Sequence, residues 1–550
     1  MKGISRRDFL RGSAAGIGMM GLGLMSAGCS TGQAAGGSAG GSSALPDKWD
    51  YEADVVIVGY GVAGAAAARE AIAEGVSCLV LEKCDEALCG GGSCASAGAV
   101  FGNNPEELLR SSRGYVSMET IEKVSAEGAQ VHEWLKEKGL DMSGQGVSVY
   151  NSMKAAVDSC GVTVLYETPG RRLVFDPVSH EVFGVCAEDA SGSEIYVKAN
   201  KGVLLATGGF LANEELVHRF LIPKEVQIAN VGPASCTGDG LMMGMSVGAA
   251  LKNMTWQCLE NYGQGSVALK KGSDEMGTGL LHLPAGDHRG ARIYVNKSGK
   301  RFMDEDRWYC HSKGNNPALE YGGLWMAYEG FSNLPMYLIF DSQLFDSGSI
   351  GPHDTTLGWA KAKNIYNWSA DNQAELEKGW IVKADTIEEL VAKLAEQSGN
   401  DPIDAAQLTE TLNTYNAYCA AGDDPEFGRA REQSFLGPST LEAVNKPPYY
   451  ACELVPAYIY TIGGLHWGEN GATLDWEGNP IPGLYHAGDV GQFTEVTVLG
   501  LRDCMAVGSY TCRTICAAAT RTIPGKAATV IAAPTEDQKA AADITAYAAQ

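Results

Sequence analysis

Hydrophobic positions along this chain fall into two repeating patterns, and each predicts a kind of element. Unbroken apolar runs at Val55–Val58, Leu79–Leu81 and Val203–Leu205 read as short strands covered on both faces, which is what a parallel sheet between helices requires. Between the first two runs lies an alanine-rich stretch from Ala63 to Ala73, whose small side chains predict a helix lying close against the sheet. Ile387, Leu390, Val391 and Leu394 recur at helical spacing and mark the core-facing stripe of a helical segment from about Thr386 to Cys419. Strands alternating with helices predict an α/β fold. One further run, Gly12 to Ala27, is weakly apolar, rich in glycine and too short for a membrane span. No later segment is long and apolar enough to span a bilayer.

The turn after the first strand, Gly59-Tyr60-Gly61-Val62-Ala63-Gly64, carries chemistry. Gly59 permits the tight turn, Gly61 lets the backbone approach a pyrophosphate, and Gly64 lets helix pack on strand. The diphosphate would rest on the helix N-terminus, where unpaired N–H groups and the helix dipole favour an anion. Glu82, at the end of the second strand, is placed to accept hydrogen bonds from an adenosine ribose. By itself this fingerprint leaves NAD and FAD both open.

Later segments favour FAD, because a flavin must be held far from its adenosine. Gly90 to Gly98 is a second small-residue loop, suited to close approach to a flat ring. Val203 to Phe210 is a buried strand ending in a tight glycine turn, Thr237-Gly238-Asp239-Gly240 opens another helix, and Ile481 to Asp489 ends a strand with an acid positioned for a ribityl hydroxyl. The nucleotide domain is therefore discontinuous in sequence.

Ahead of this body stand an address and a tether. Ser5-Arg6-Arg7-Asp8-Phe9-Leu10 is a twin-arginine signature, and Ser26-Ala27-Gly28-Cys29 resembles a lipoprotein cleavage site. Residues 1–29 are expected to direct export to the periplasm or outer face of the cytoplasmic membrane; lipidation of Cys29 and simple release both stay open. Residues 30–50, rich in Gly, Ser and Ala, form a flexible linker. The net charge of -24 over 550 residues excludes nucleic acid as a natural partner and suits either a basic electron-transfer protein or plain solubility. Fifteen cysteines are scattered without haem, iron–sulfur or zinc spacing, so no metal site is expected. Cys84, Cys89 and Cys94, beside the nucleotide loop, read as packing.

These motifs, with Ala206-Thr207-Gly208-Gly209, Gly299-Lys300-Arg301-Phe302-Met303-Asp304-Glu305, Thr461-Ile462-Gly463-Gly464 and Pro480 to Asp489, resemble the flavoprotein subunit family of fumarate reductase and succinate dehydrogenase, which includes ketosteroid dehydrogenases and urocanate reductase. The resemblance covers nearly all of residues 52–516. It implies a Rossmann-like FAD-binding domain over 51–255 and 380–520, interrupted by an α+β capping domain over 256–379, with the active site between them and a tail at 521–550. It implies FAD contacts at Gly59, Gly61, Ala63, Gly64, Glu82, Lys83, Gly91, Gly92, Ser93, Ala97, Gly98, Thr207, Gly208, Asp239, Asp489, Gly500 and Leu501. Family members that bind FAD covalently carry a histidine in the second glycine loop; residues 83–101 contain none, so non-covalent FAD is expected. Without the haem sites of the soluble fumarate reductases, electrons would come from a separate donor such as a c-type cytochrome or another membrane-linked redox protein.

In this family reduced flavin delivers hydride to an activated carbon–carbon double bond while a protein acid supplies the proton. The position resembling the proton-donating arginine is Tyr309, with Arg307 close by. Tyr460 replaces the histidine before Thr-x-Gly-Gly, Glu260 stands where another histidine is expected, and Val498 replaces a carboxylate-binding arginine, with Arg502 four residues on. Four replacements together speak against fumarate or succinate. A phenol, with an ordinary pKa of about 10, is neutral at pH 7 and can donate to a ketone or an enolate carbon. Trp256, Tyr262, Trp308 and Tyr309 suit a flat apolar substrate, and His288 and His311 are minor candidates. Competing with these roles are buried, backbone-satisfied tyrosines and salt bridges of Arg307 or Arg502 with Glu305 or Asp503. The expected activity is reduction of an enone-like or conjugated double bond of a planar acceptor. The reverse dehydrogenase, a reductase of a small unsaturated carboxylate and a flavin electron relay remain alternatives.

Overall fold

The computed structural model describes residues 45–96, 104–139, 146–221, 229–230, 232–254, 267–269, 290–306, 331–351, 353, 366–430, 440–458, 461–494 and 500–547. The strand Trp49–Val58 lies at the centre of a nine-stranded sheet. Its apolar end pairs in parallel with Cys78–Leu81 on one side and with Glu194–Leu205 on the other, aligning Val58 with both Leu81 and Leu205. Thr163–Leu165 and Pro480–His486 extend the parallel ladder outward. The three apolar runs thus end side by side, and their carboxyl ends open onto one edge, where α/β sheets bind ligands.

The helix Val62–Ala73 is buried from Val62 through Ile72, which suits its alanines: small side chains let the neighbouring elements approach closely. Leu501–Ala517 crosses it so closely that a Cβ on Gly508 would stand 2.1 Å from the Ala63 carbonyl oxygen. Residues 480–517 therefore rejoin the nucleotide sheet, making that domain discontinuous.

The segment expected as a tail is part of the same layer. Ala527–Val530 pairs in parallel with Trp49–Glu52, and the helix Glu536–Ala542 caps the first helix, with the Ala542 carbonyl accepting from Arg69 at 3.1 Å. A run as weakly apolar as Ala-Ala-Thr-Val gives no strand signal alone, because its pairing partner lies over 470 residues upstream.

A second sheet is antiparallel: Arg292–Asn296, Met336–Asp341, Tyr449–Tyr458 and Val382–Ala384. Aromatic side chains of Tyr294, Phe340, Phe345, Trp368, Trp380 and Tyr450 fill one face. On the other, the stripe Ile387, Leu390, Val391 and Leu394 packs on Ile293, Val295 and Ile339. The helices Ile387–Ser398 and Ala405–Ala421 consequently belong to this sheet, and the expected return to the nucleotide layer at residue 380 is corrected: the second sheet's strands run on to Tyr458. The stripe showed that the helix has a core face; the partner could not be read from it.

Around the edge strand Arg292–Asn296 lies a buried ion network. Arg301 grips Glu305 through Nε at 2.8 Å and Nη2 at 2.7 Å, and reaches Asp424 at 2.9 Å. Arg429 donates to Asp306 at 3.0 Å, Glu305 at 3.3 Å and the Tyr415 hydroxyl at 2.7 Å, while Arg292 donates to Asp306 at 2.9 Å. Arg301 and Glu305 of the Gly299–Glu305 motif are thus spent on one another. Among the described residues no helix is long and apolar enough to cross a membrane, and no cluster of His, Cys, Asp or Glu could hold a metal ion.

Candidate cofactor and active site

At the carboxyl edge of the first sheet, three glycines take three different tasks. Gly59 has φ +103, and a Cβ there would stand 2.4 Å from the Ala206 carbonyl oxygen; Gly64 would collide with the Gly59 carbonyl oxygen at 2.0 Å. Both are demanded by the fold. Gly61 is different: its φ of -72 suits any residue, and a Cβ would meet only the Ser93 hydroxyl at 3.2 Å and the Gly90 carbonyl at 3.7 Å. Among the described residues nothing fills the space Gly61 leaves, as expected of a backbone kept bare for a ligand.

The helix N-terminus beyond Gly61 has no side-chain cap and no acid in its first turn. Ser93, on the second glycine loop, accepts from the first helical N–H, that of Val62, at 3.0 Å. Glu82 is buried and receives the Tyr60 N–H on one oxygen and the Cys84 N–H on the other, both at 2.8 Å. Its orientation is fixed, with lone pairs left for a diol. Lys83 reaches across to the next loop, donating to the Thr237 hydroxyl at 2.6 Å and to Asp239 at 2.8 Å.

Further groups converge from later in the chain. Gly488 abuts the Ala63 side chain, and Asp489 faces Gly92. Half-buried Asp489 accepts from Gln492 Nε2 at 2.9 Å, and desolvation pushes its carboxyl up to about 6. Gly500 begins the helix Leu501–Ala517 without a side-chain cap bond of its own, and its N–H donates to Asp503 at 3.3 Å. The Thr207 and Thr461 hydroxyls are buried with no partner among the described residues, each leaving a polar group that costs roughly 1–3 kcal/mol until something bonds it. A helix terminus with no acid in its first turn, an open glycine, a pre-set carboxylate and two orphaned hydroxyls fit the diphosphate, ribose and ribityl groups of FAD.

Of the expected cofactor residues, Gly59, Gly61, Ala63, Gly64, Glu82, Ser93, Gly92, Thr207, Gly208 and Asp489 thus lie on one set of adjoining loops. Ala97 and Gly98 lie outside the described residues, as do Tyr309, Arg307, Tyr460 and Glu260, the aromatic positions 256, 262 and 308, and His288 and His311. Arg502 is described: its Cγ lies against Gly128 of the helix Met118–Glu137, and its charge joins burial in holding His132 below the usual histidine range. Asp503 caps Gly500, and Glu305 is held by Arg301 and Arg429. Cys89 accepts from the Tyr150 hydroxyl at 3.0 Å, and burial pushes the Cys84 and Cys94 thiols up to about 12, as packing residues require. The described cysteines are free thiols. Sequence reasoning missed Tyr60, whose backbone orients Glu82, and Gln492, whose role depends on a single helical turn after a strand.

Fold and site together define a flavin-adenine-dinucleotide-binding oxidoreductase. The sequence matches the FAD binding domain family over residues 142–496 and the FAD dependent oxidoreductase family over residues 54–155. The chain belongs to this FAD-binding family, the flavoproteins of fumarate reductase, urocanate reductase and 3-oxosteroid dehydrogenase type. It is 27% identical over 474 residues to vinyl phenol reductase of Lactiplantibacillus plantarum, covering 79% of this chain and 89% of that protein. It is 30% identical over 374 residues to 3-oxosteroid 1-dehydrogenase of Mycobacterium tuberculosis, covering 65% of this chain but only 59% of that one. The fold is similar to 3-ketosteroid delta1-dehydrogenase from Sterolibacterium denitrificans, with a TM-score of 0.63 and 22% identity over 85% of this chain and 99% of that one. The protein is an FAD-dependent oxidoreductase.

Proposed function

We propose that this protein is an exported reductase that saturates an enone-like or aryl-conjugated double bond of a planar organic acceptor. The observation that carries this reading is the match to vinyl phenol reductase along 89% of that protein's length, joined to tyrosines at positions 309 and 460. When bound and reduced, FAD supplies hydride at N5. Tyr309, or Arg307 beside it, gives the proton to the neighbouring carbon, and Tyr460 polarises the acceptor by donating a hydrogen bond. The residues Arg307 and Tyr309 follow directly after Asp306, which Arg292 and Arg429 clamp at 2.9 and 3.0 Å; this supports a proton donor held close to a fixed point of the chain. Tyr460 precedes Thr461, whose buried side chain packs on Gly209. Glu260 and Arg502 are secondary candidates for acceptor binding.

Tyr309→Phe is expected to lower kcat by about 10²–10⁴-fold with flavin content unchanged. Wild-type turnover would transfer the proton to Arg307. The 30% identity to a 3-oxosteroid 1-dehydrogenase favours a second reading, the same site run as a dehydrogenase. Anaerobic titration separates them: an acceptor that reoxidises the dithionite-reduced holoenzyme establishes the reductase, and none doing so removes it.

FAD is held without a covalent bond, since no histidine occurs in residues 83–101. Acid precipitation should leave the visible flavin absorbance in the supernatant; a yellow pellet would overturn this. The twin-arginine signature at Ser5–Leu10 supports export, with Cys29 the candidate for lipid attachment and a separate redox protein the electron donor.

A further inference from the structure

We infer that Gln492 is a positioning residue for the cofactor: locked by Thr494, its amide holds the Asp489 carboxylate aimed at the ribityl chain of FAD. The inference rests on Asp489 being the ribityl acid. The segment Gly488–Val490 is a single helical turn directly after the strand Pro480–His486, so it cannot by itself fix a side chain that follows it. Two contacts do so. The Thr494 hydroxyl donates to Gln492 Oε1 at 3.2 Å, which fixes which way the amide faces; Gln492 Nε2 then donates to Asp489 Oδ1 at 2.9 Å. Thr494 is fully buried and Gln492 is 3% exposed, so the amide has little freedom to turn.

With Oδ1 taken, Oδ2 is the oxygen turned to the second glycine loop, where a Cβ on Gly92 would stand 3.6 Å from it. Gly92 therefore leaves a gap between the carboxylate and the cleft. The titratable groups facing Asp489 are the thiols of Cys236, on the loop before Asp239, and Cys504, on the helix Leu501–Ala517, with Lys83 beyond the first and Asp503 beyond the second. The first helix brings the Ala63 side chain against the neighbouring Gly488. Desolvation among these groups pushes the carboxyl up to about 6, and the Gln492 bond opposes that rise.

The consequence is a linkage between protons and cofactor. Ribityl hydroxyls donate to the ionised carboxylate, so bound FAD lowers the pKa of Asp489 and protonation competes with binding. Below a pH of about 6, affinity should fall, reaching about tenfold between pH 7 and pH 5.

The test uses full-length holoenzyme diluted at pH 5 to 8, with released FAD read by its recovered fluorescence. Wild type should show the tenfold loss, Asp489→Asn should bind more weakly and without that pH profile, and Gln492→Met should move the fall upward by about one pH unit. Thr494→Val, which leaves the amide donor present but unlocked, should shift it the same way by less and serves if Gln492→Met does not fold. A Gln492→Met affinity that equals wild type, or is weaker by one factor at every pH, overturns the inference while leaving Asp489 in place. An Asp489→Asn profile identical to wild type overturns the ribityl reading itself.

Discussion

Gly61→Val is expected to yield a folded protein that has lost its flavin. The backbone at Gly61 is extended with φ -72, which valine adopts without strain. Among the described residues the atoms within 4 Å of a Cβ are the Ser93 hydroxyl at 3.2 Å and the Gly90 carbonyl at 3.7 Å, and the hydroxyl can turn aside. The added methyl groups fall where the diphosphate meets the helix terminus. Affinity for FAD should drop at least about 100-fold, equivalent to roughly 2.7 kcal/mol. The thermal transition of the flavin-free protein should stay within about 1 kcal/mol of wild type. Gly59→Ala is the contrast: at φ +103 with the Ala206 carbonyl oxygen 2.4 Å from the new Cβ, it should damage folding before binding. Stoichiometric FAD on purified Gly61→Val would remove the diphosphate from this loop.

Arg429→Met should be the most destabilising single change in the second sheet's surroundings. The guanidinium is fully buried and answers Asp306, Glu305, Tyr415 and the Arg292 carbonyl. Three buried arginines, 292, 301 and 429, face the carboxylates of Glu305, Asp306 and Asp424. Removing one cation leaves a buried carboxylate unbalanced, which costs about 3–5 kcal/mol. The deficit should shrink on acidification. Without Arg429 the carboxyl pKa rises in the folded protein, the folded state holds the proton more tightly than the unfolded chain, and the variant gains stability relative to wild type as pH falls. Urea melts at pH 7.5 and 5.5 read both effects. A loss under about 1 kcal/mol at pH 7.5, or one that grows on acidification, would show that the network is not balanced as drawn.

How far the sequence carried can be judged at particular residues. The strand, glycine turn and helix from Val55 to Ala73 were legible because every constraint is local: the apolar run, the positive φ at Gly59 and the alanine face all fall within twenty residues. Glu82 and Asp489 were legible as acids at strand ends. The second sheet was not, since its neighbours are distant; Met336–Asp341 pairs with Tyr449–Tyr458 across more than 100 residues, and no period in the sequence announces such a partner. The motif ending in Glu305 showed the same limit. Arg301 and Glu305 suggested chemistry, yet Asp424 and Arg429, the residues that turn them into a structural network, stand in a segment with no signature. Gln492 had none either, because its meaning depends on where one helical turn points it.

The pairing of Ala527–Val530 with Trp49–Glu52, and the seating of Glu536–Ala542 on the first helix, set a schedule for synthesis. The ribosome delivers the phosphate-binding loop early and these supports much later: Leu501–Ala517, then Ala527–Val530 and Glu536–Ala542, emerge only after some 440 further residues have passed. Until then the helix Val62–Ala73 lacks the side of its packing that these late elements supply, so stable cofactor loading must wait for them to emerge.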